Sequence, residues 1–338
     1  SSGFEADALV NLPANYGNTL RVEASVDGPL PEPQMWSGEF TARADGLLPQ
    51  PWLRGRVAPG TRVAAEDVEG KLAGKFEDGR VTGFDLRLDS ELLLATRAGR
   101  TVETPYLSMR AQASRDGEAW RVDLSRFELD DDEQMHGQLR WQPLAGGGYD
   151  LGIESGLLKF DRLLPWLEYA RELPPALQRA PHASGEIDDL VLRLHHTTEG
   201  NQYSLRAQLK DLALKSEGEA PGFSGVSGEL SASDAGGRFA IEHGTPTLTL
   251  PRIFDAPLAL DELKLPLQWR HLPEGWQLSA KQFDWKLAGT TGRGRFALLL
   301  PAEEGASPEL DLSANLAAAD LNRGKPSMPR HWSDGLTH

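Results

Sequence analysis

The 338-residue chain contains no cysteine. This absence excludes a disulfide framework, a thiol nucleophile and metal sites held by thiolates. Aromatic residues are also few, at 7% of the chain, so large side chains for a thick hydrophobic core are scarce. Apolar runs are short, and none approaches the roughly 18 residues that a membrane-spanning helix needs.

Basic residues are in the minority. The chain has 35 Lys and Arg residues against 50 Asp and Glu residues, which gives a formal net charge of −15. Because binding to nucleic acid requires a basic surface, we expect no nucleic-acid partner. The Lys and Arg residues are scattered singly along the sequence, so no segment is predicted to dock on an anionic membrane surface.

Alternating apolar and polar residues dominate the sequence. Residues 20–26, 84–88 and 203–209 all show the alternation, which is typical of strands with one face in contact with water. Turn signals such as Asp78-Gly79 and Gly236-Gly237 separate these runs. The sequence therefore predicts an all-β fold of antiparallel strands joined by short turns.

Two parts of the chain resemble each other at a nearly fixed distance. Trp120 and Trp276 are 156 residues apart, as are Phe127 and Phe283. Such self-similarity indicates two copies of a strand-rich module.

The repeats suggest an organisation into modules. We expect residues 1–62 to hold the end of a preceding module and a connection. Residues 63–180 would form a first complete module ending in a helix, and residues 181–338 a second module truncated at its end. On this interpretation the chain is a piece of a longer protein.

One segment favours a helix. Residues 160–170 have Asp161 as a candidate N-cap, and Pro174-Pro175 would end the helix. Its large apolar residues either pack over the end of a sheet or form a lid or plug on an apolar track. They are Leu163, Leu164, Trp166 and Leu167.

A strand with one apolar face must cover that face. A second sheet covers it in a β-sandwich, and one or two ordinary sandwiches remain an open interpretation. The alternative is an elongated, twisted single sheet whose apolar face forms an open groove for lipid acyl chains, since each buried methylene gains about 0.8 kcal/mol. The alternation gives as candidate groove-lining residues Leu190, Leu192, Leu194, Tyr203, Leu205, Leu209, Leu248, Leu250, Leu263, Leu265 and Leu267.

Motifs for chemistry are weak throughout. His195 and His196 are adjacent, so on a strand they point to opposite faces and do not readily hold one ion. The acidic run 130–133 lacks the glycine turn of a calcium loop. Residues 222–228 and 289–294 lack the spacing of a nucleophile elbow or a phosphate-binding loop. We therefore predict no catalytic residue, metal or cofactor, and no enzymatic activity.

Several stretches in order resemble the AsmA-like family of Gram-negative envelope proteins. They are LPANYGNTLRVEASVDG (12–28), SGLLKFDRLLPWLEYARELP (155–174), ASGEIDDLVLRL (183–194), residues 223–285, SPELDLSANLAAADL (307–321) and MPRHW (328–332). Each is compositional and weak by itself, whereas the ordered series covers nearly the whole chain.

The resemblance implies a role in lipid transport. It implies an interior, soluble segment of a large periplasmic protein anchored in the inner membrane. Such a segment would form part of a β-sheet conduit moving phospholipid between the inner and outer membranes, with neighbouring modules of the same longer chain as partners. A glycan-binding β-sandwich and a purely structural envelope module remain the alternatives.

Overall fold

The computed structural model describes residues 3–54, 57, 59–130, 135–162, 166, 183–242, 244–252, 254–303 and 307–318. Of the strands in these ranges, twenty belong to one hydrogen-bonded antiparallel sheet and three short ones form a second sheet. The predicted all-β antiparallel fold is therefore confirmed. Contacts divide the chain into two units, unit 1 mainly before residue 157 and unit 2 mainly after residue 201.

Unit 1 contains the first twelve strands. They are β1 (Gly3–Asn11), β2 (Thr19–Asp27), β3 (Ser37–Asp45), β4 (Arg62–Glu66), β5 (Glu69–Glu77), β6 (Arg80–Ser90), β7 (Leu92–Arg97), β8 (Arg100–Thr104), β9 (Leu107–Asp116), β10 (Ala119–Leu129), β11 (Met135–Pro143) and β12 (Tyr149–Ser155). The main sheet of the unit has the order β1-β2-β3-β5-β6-β9-β10-β11-β12. The small sheet has the order β4-β7-β8.

Unit 2 is built in the same way. The remaining strands are β13 (Leu158–Lys159), β14 (Ala183–Thr197), β15 (Gly200–Leu214), β16 (Gly222–Ser233), β17 (Gly236–Ile241), β18 (Thr247–Thr249), β19 (Leu258–Ala259), β20 (Glu262–Leu272), β21 (Gly275–Leu287), β22 (Thr290–Pro301) and β23 (Glu309–Ala318). The order of the main strands is β15-β16-β17-β20-β21-β22-β23. The short hairpin β18–β19 pairs with the beginning of β16.

Helices are short in the described part of the chain. A 3-10 helix spans Pro33–Met35 and α1 spans Pro49–Trp52. Residues 160–162 and 166 are helical, in agreement with the predicted helix; the rest of that prediction, including Leu163, Leu164 and Leu167, lies outside the described residues. No helix among the described residues is long and apolar enough to cross a membrane.

Tight turns join the strands where the sequence predicts them. Asp78 and Gly79, between β5 and β6, have φ values of 49° and 69°. Positive φ at both central residues is the geometry of a type I′ turn, whose twist matches that of the strands it connects. Gly236, also in a predicted turn, begins β17 with φ 150°.

The internal repeat is visible in the strand pairing. In the hairpin β9–β10 Asp116 lies opposite Ala119, and in β20–β21 Leu272 lies opposite Gly275, which is a shift of 156 residues for both partners. The hairpins β5–β6 and β16–β17 are related by the same shift. Two copies of one strand arrangement therefore occur in the chain.

Candidate functional site

Unit 1 carries a continuous apolar surface on one side of its main sheet, here called the first apolar face. Residues that lie directly opposite one another share a face, so the strand register defines this surface. One row of mutually paired residues crosses six strands: Val22, Ala42, Leu72, Leu86, Ala111 and Leu124. A parallel row contains Leu20, Ala44, Gly70, Leu88, Met109, Phe127 and Met135.

The first apolar face remains partly open to solvent. Every described residue of the row from Val22 to Leu124 is only half-buried. At its margins Val10 is 46% exposed and Trp141 is 36% exposed. In a β-sandwich a second sheet would bury such central residues almost completely. The sheet of unit 1 is therefore a single layer over this surface.

The opposite side of the unit 1 sheet is strongly charged. One row across six strands is basic at every position: Arg21, Arg43, Lys71, Arg87, Arg110 and Arg126. Carboxylates two residues further along the same strands compensate part of this charge. Arg21 approaches Glu23 at 3.0 Å, and Arg87 approaches Asp89 at 2.6 Å. The basic row is thus flanked by several acidic residues on the polar side.

Unit 2 carries an equivalent surface, the second apolar face. A row of seven mutually paired residues crosses it: Leu205, Ala232, Gly237, Trp269, Leu278, Leu298 and Leu310. Leu310 and Leu312 on β23 are 62% and 58% exposed. At β23 the described residues therefore leave the second apolar face uncovered.

Aromatic rings lie flat on both apolar faces because glycines sit beneath them. A Cβ atom built on Gly74 would lie 2.4 Å from the ring of Phe40, and one built on Gly292 would lie 2.3 Å from the ring of Trp285. Phe40 is directly opposite Gly74, and Trp285 directly opposite Gly292. The missing side chain leaves room for the ring to lie over the glycine.

Each unit has a packed cluster of buried apolar residues in the described part of the chain. In unit 1 the small sheet contributes Val63 and Ala95, against which Trp166 packs. The indole of Trp166 donates a 3.1 Å hydrogen bond to the buried hydroxyl of Thr104. Trp166, predicted as part of a lid or plug, is thus fixed on the small sheet.

In unit 2 the hairpin β18–β19 covers one end of the apolar face. Leu260 packs there with Val226, Ile241 and Leu263 in a buried cluster, to which Leu248 is added at the periphery. Pro246 is fully buried in the same segment. This part of the face is closed by the chain itself.

The predicted lining residues fall into two groups. The open group consists of Leu190, Leu192 and Leu194 on β14, Tyr203 and Leu205 on β15, and Leu267 on β20, all exposed or half-buried. The covered group is Leu209, at 8% exposure, together with Leu248, Leu263 and Leu265 in or against the buried cluster. Leu250 lies one residue beyond the end of β18.

The lining residues predicted from the sequence all lie in unit 2. The rows of unit 1 show the same alternation, for example in residues 84–88, and this signal was sufficient to find them. Leu298 was also missed, because the run of leucines on β22 shows less regular alternation. Leu310 on β23 was missed although Leu310 and Leu312 do alternate with polar residues.

The two adjacent histidines have separate surroundings, as the alternation predicts. His195 Nδ1 contacts a carboxylate oxygen of Asp150. His196 Nδ1 contacts the side chain of Asn201, and its ring stacks on Tyr149 at a centroid distance of 4.8 Å. Among the described residues no group of three potential ligands is placed to hold a metal ion.

Comparisons with known proteins match this chain over nearly its entire length. The family model described as YhdP protein matches residues 3–336. The intermembrane phospholipid transporter YhdP of Escherichia coli (strain K12) is 26% identical over 333 residues, which cover 93% of this chain and 26% of the relative. No solved structure matches significantly.

The family model covers far more than half of the chain, and the resemblance noted in the sequence points the same way. The chain spans about a quarter of the length of the curated relative that it matches. In this chain the matched residues form single-layer sheets with one apolar side. The chain belongs to the YhdP family.

Proposed function

We propose that the two apolar faces carry the acyl chains of phospholipid in a segment of a periplasmic conduit between the inner and outer membranes. The observation that carries this proposal is the first apolar face, a continuous row of apolar residues across six strands that stay only half-buried in the described part of the chain. A large exposed apolar patch on a folded protein usually marks a site for a partner or ligand of matching polarity.

The open surface suits transport better than storage. A methylene that is fully removed from water gains about 0.8 kcal/mol, but one flat wall removes only part of its surface from water. A lipid on such a wall is held at many weak and equivalent positions. It can therefore move along the rows with small changes in free energy.

The conduit role involves no chemical step. Acyl chains are shielded by the apolar residues, while the charged rows on the other side keep that surface hydrated. The candidate lining residues with open surfaces, such as Leu192 and Leu205, contribute directly on this proposal. Neighbouring modules of a longer, inner-membrane-anchored chain would continue the path.

A matched pair of variants on one strand tests the proposal. Ala111 lies on the first apolar face of β9, and Ser114 lies on its polar side, opposite Arg121. We expect native mass spectrometry of the protein, purified without detergent, to detect bound phospholipid. Ala111→Glu should lower the bound fraction several-fold, because it places a charge on the acyl-chain surface, whereas Ser114→Glu should leave it unchanged.

Two results would contradict the proposal. One is the absence of lipid from the wild-type protein, which would favour a structural envelope element. The other is an equal loss of lipid in both variants while their melting temperatures match the wild type, since the face would then be irrelevant.

A further inference from the structure

Arg115 is an exception on the first apolar face. Among the described strands β1 to β12, it is the one charged residue at the paired positions of this face. It lies opposite Trp120, which in turn lies opposite Trp141. The position is at the end of β9, where the apolar face meets the turn to β10.

Within the described part of the chain, one polar atom of the Arg115 guanidinium is left unsatisfied. Its Nε atom is buried and has no hydrogen-bond partner among the described residues. On the polar side Arg126 also has a buried Nε atom without a partner among the described residues, but its Nη2 atom contacts the carboxylate of Glu128. Arg21 and Arg121 contact carboxylates within about 3 Å. A buried N–H group without an acceptor is unfavourable and is usually satisfied by a protein group or a ligand.

The repeat places a second basic group at the equivalent position. His271 follows Arg115 by 156 residues, and it lies opposite Trp276, which follows Trp120 by the same distance. The rings of His271 and Trp276 are 4.9 Å apart, and Trp276 is 41% exposed. Among the described strands β15 to β23, His271 is the one ionisable residue at the paired positions of the second apolar face.

We infer that Arg115 and His271 each mark a position at which the phosphodiester group of a phospholipid is bound, one per module. The inference rests on the proposed function, since the acyl chains would lie on the adjoining apolar face. A guanidinium donates parallel hydrogen bonds that fit a phosphate, and imidazole also donates to it. The neighbouring indole suits the boundary between the apolar chains and the hydrated headgroup.

The headgroup positions would fix where along the conduit each lipid is held. Each lipid would be bound through its phosphate at Arg115 or His271 before it moves to another such position. Selectivity would then be for glycerophospholipids over neutral lipids with the same acyl chains. The apolar rows alone make no such distinction.

The test compares two ligands with identical acyl chains, a phosphatidylglycerol and a diacylglycerol, on the full chain. Arg115→Gln should weaken phosphatidylglycerol binding about tenfold and leave diacylglycerol binding unchanged. Arg115→Lys should recover part of the affinity, because the charge is kept. Arg110→Gln is the matched control on the polar side of the same strand and should change neither affinity. The double variant Arg115→Gln/His271→Gln should lose more affinity than either single variant.

The outcomes separate this inference from the proposed function. If the wild-type protein binds neither lipid, the proposed function fails. If it binds both lipids and Arg115→Gln weakens both or neither, only the headgroup inference fails. Displacement of phosphatidylglycerol by inorganic phosphate at a similar concentration would assign the position to free phosphate and overturn the lipid assignment.

Discussion

Phe127 on β10 and Phe283 on β21 each follow a β-bulge, and the two phenylalanines lie 156 residues apart. In β10 the register shifts between Leu124 and Phe127, and in β21 it shifts between Ala280 and Phe283. An extra residue in a strand reverses the alternation of side chains beyond it. Both bulges thereby keep the phenylalanine on the apolar face.

The bulge should make the extra residue of β10 dispensable. Deletion of Ser125 leaves Leu124, Arg126 and Phe127 in continuous alternation opposite Ala111, Arg110 and Met109, so Phe127 stays on the apolar face and little stability should be lost. Deletion of Asp123, one step before the bulge, should instead turn Leu124 to the polar side and lower the free energy of unfolding by about 1.5–3 kcal/mol, the value for a large apolar side chain. Chemical denaturation measures both, and equal losses would contradict the role of the bulge.

A pairing of glycine with an aromatic ring should show strong energetic coupling. Gly74→Ala forces the ring of Phe40 to move, and we expect a loss of about 1–3 kcal/mol. In a Phe40→Leu background the same change should cost much less, so that a double-mutant cycle gives a clear interaction energy. Gly152→Ala is the control, because a Cβ there meets its nearest atom at 3.9 Å. A cycle with zero coupling would show that the ring does not depend on the glycine.

Low pH should decrease the stability of unit 1, because Asp89 becomes protonated. Burial raises the pKa of this carboxyl, but hydrogen bonds from Arg87 and Ser108 and the charges of Arg87 and Arg110 together lower it below its ordinary value. A lowered pKa in the folded state stabilises the protein above the unfolded-state value of about 3.9, and this stability is lost as the pH falls through the lower folded value.

The variant Asp89→Asn isolates this contribution. At pH 7 it should be less stable than the wild type by about 1–3 kcal/mol, as expected for a hydrogen-bonded charge. The difference should shrink as the pH falls below about 4. The exposed residue Asp85, on the same strand and side, serves as the control through Asp85→Asn. A difference for Asp89→Asn that stays constant with pH would refute the argument.

The hydrogen bond between Trp166 and Thr104 should stabilise the protein, because it satisfies the buried hydroxyl of Thr104. Trp166→Phe removes the donor and leaves Thr104, at 4% exposure, without this partner. We expect a loss of about 1–3 kcal/mol of stability. Adding Thr104→Val should restore part of the loss, because the unpaired hydroxyl is then gone. Thermal unfolding of the single and double variants measures this, and additive losses would argue against the hydrogen bond.

Alternation predicted the strands well because it reports directly which face of a strand is wet. The turn at Asp78-Gly79 was also predictable, since glycine and aspartate favour its positive φ values. The helix at 160–170 was predicted with Asp161 as its N-cap, but residues 160–162 are all helical, so Asp161 lies within the first turn. The module boundaries and the groove stay predictions.

The register of the strand pairing could not be predicted from the sequence. The features that depend on this register were therefore missed. Arg43, Lys71 and Arg110 are scattered singly in the sequence, yet pairing aligns them in one row. Leu263 was predicted as lining from alternation alone, but the hairpin β18–β19 folds onto it. Long-range pairing decides both outcomes, and short-range patterns carry little information about it.

The single-layer construction also has a consequence for how each unit loses its structure. A strand in a two-layer protein is held by neighbours on its edges and by a second sheet, so the domain opens all at once. Here a strand such as β6 depends chiefly on β5 and β9, which resembles the nearest-neighbour energetics of repeat proteins. Opening should begin at an edge and advance strand by strand. A sheet built in this way tolerates local damage, because one loosened strand does not unfold the others.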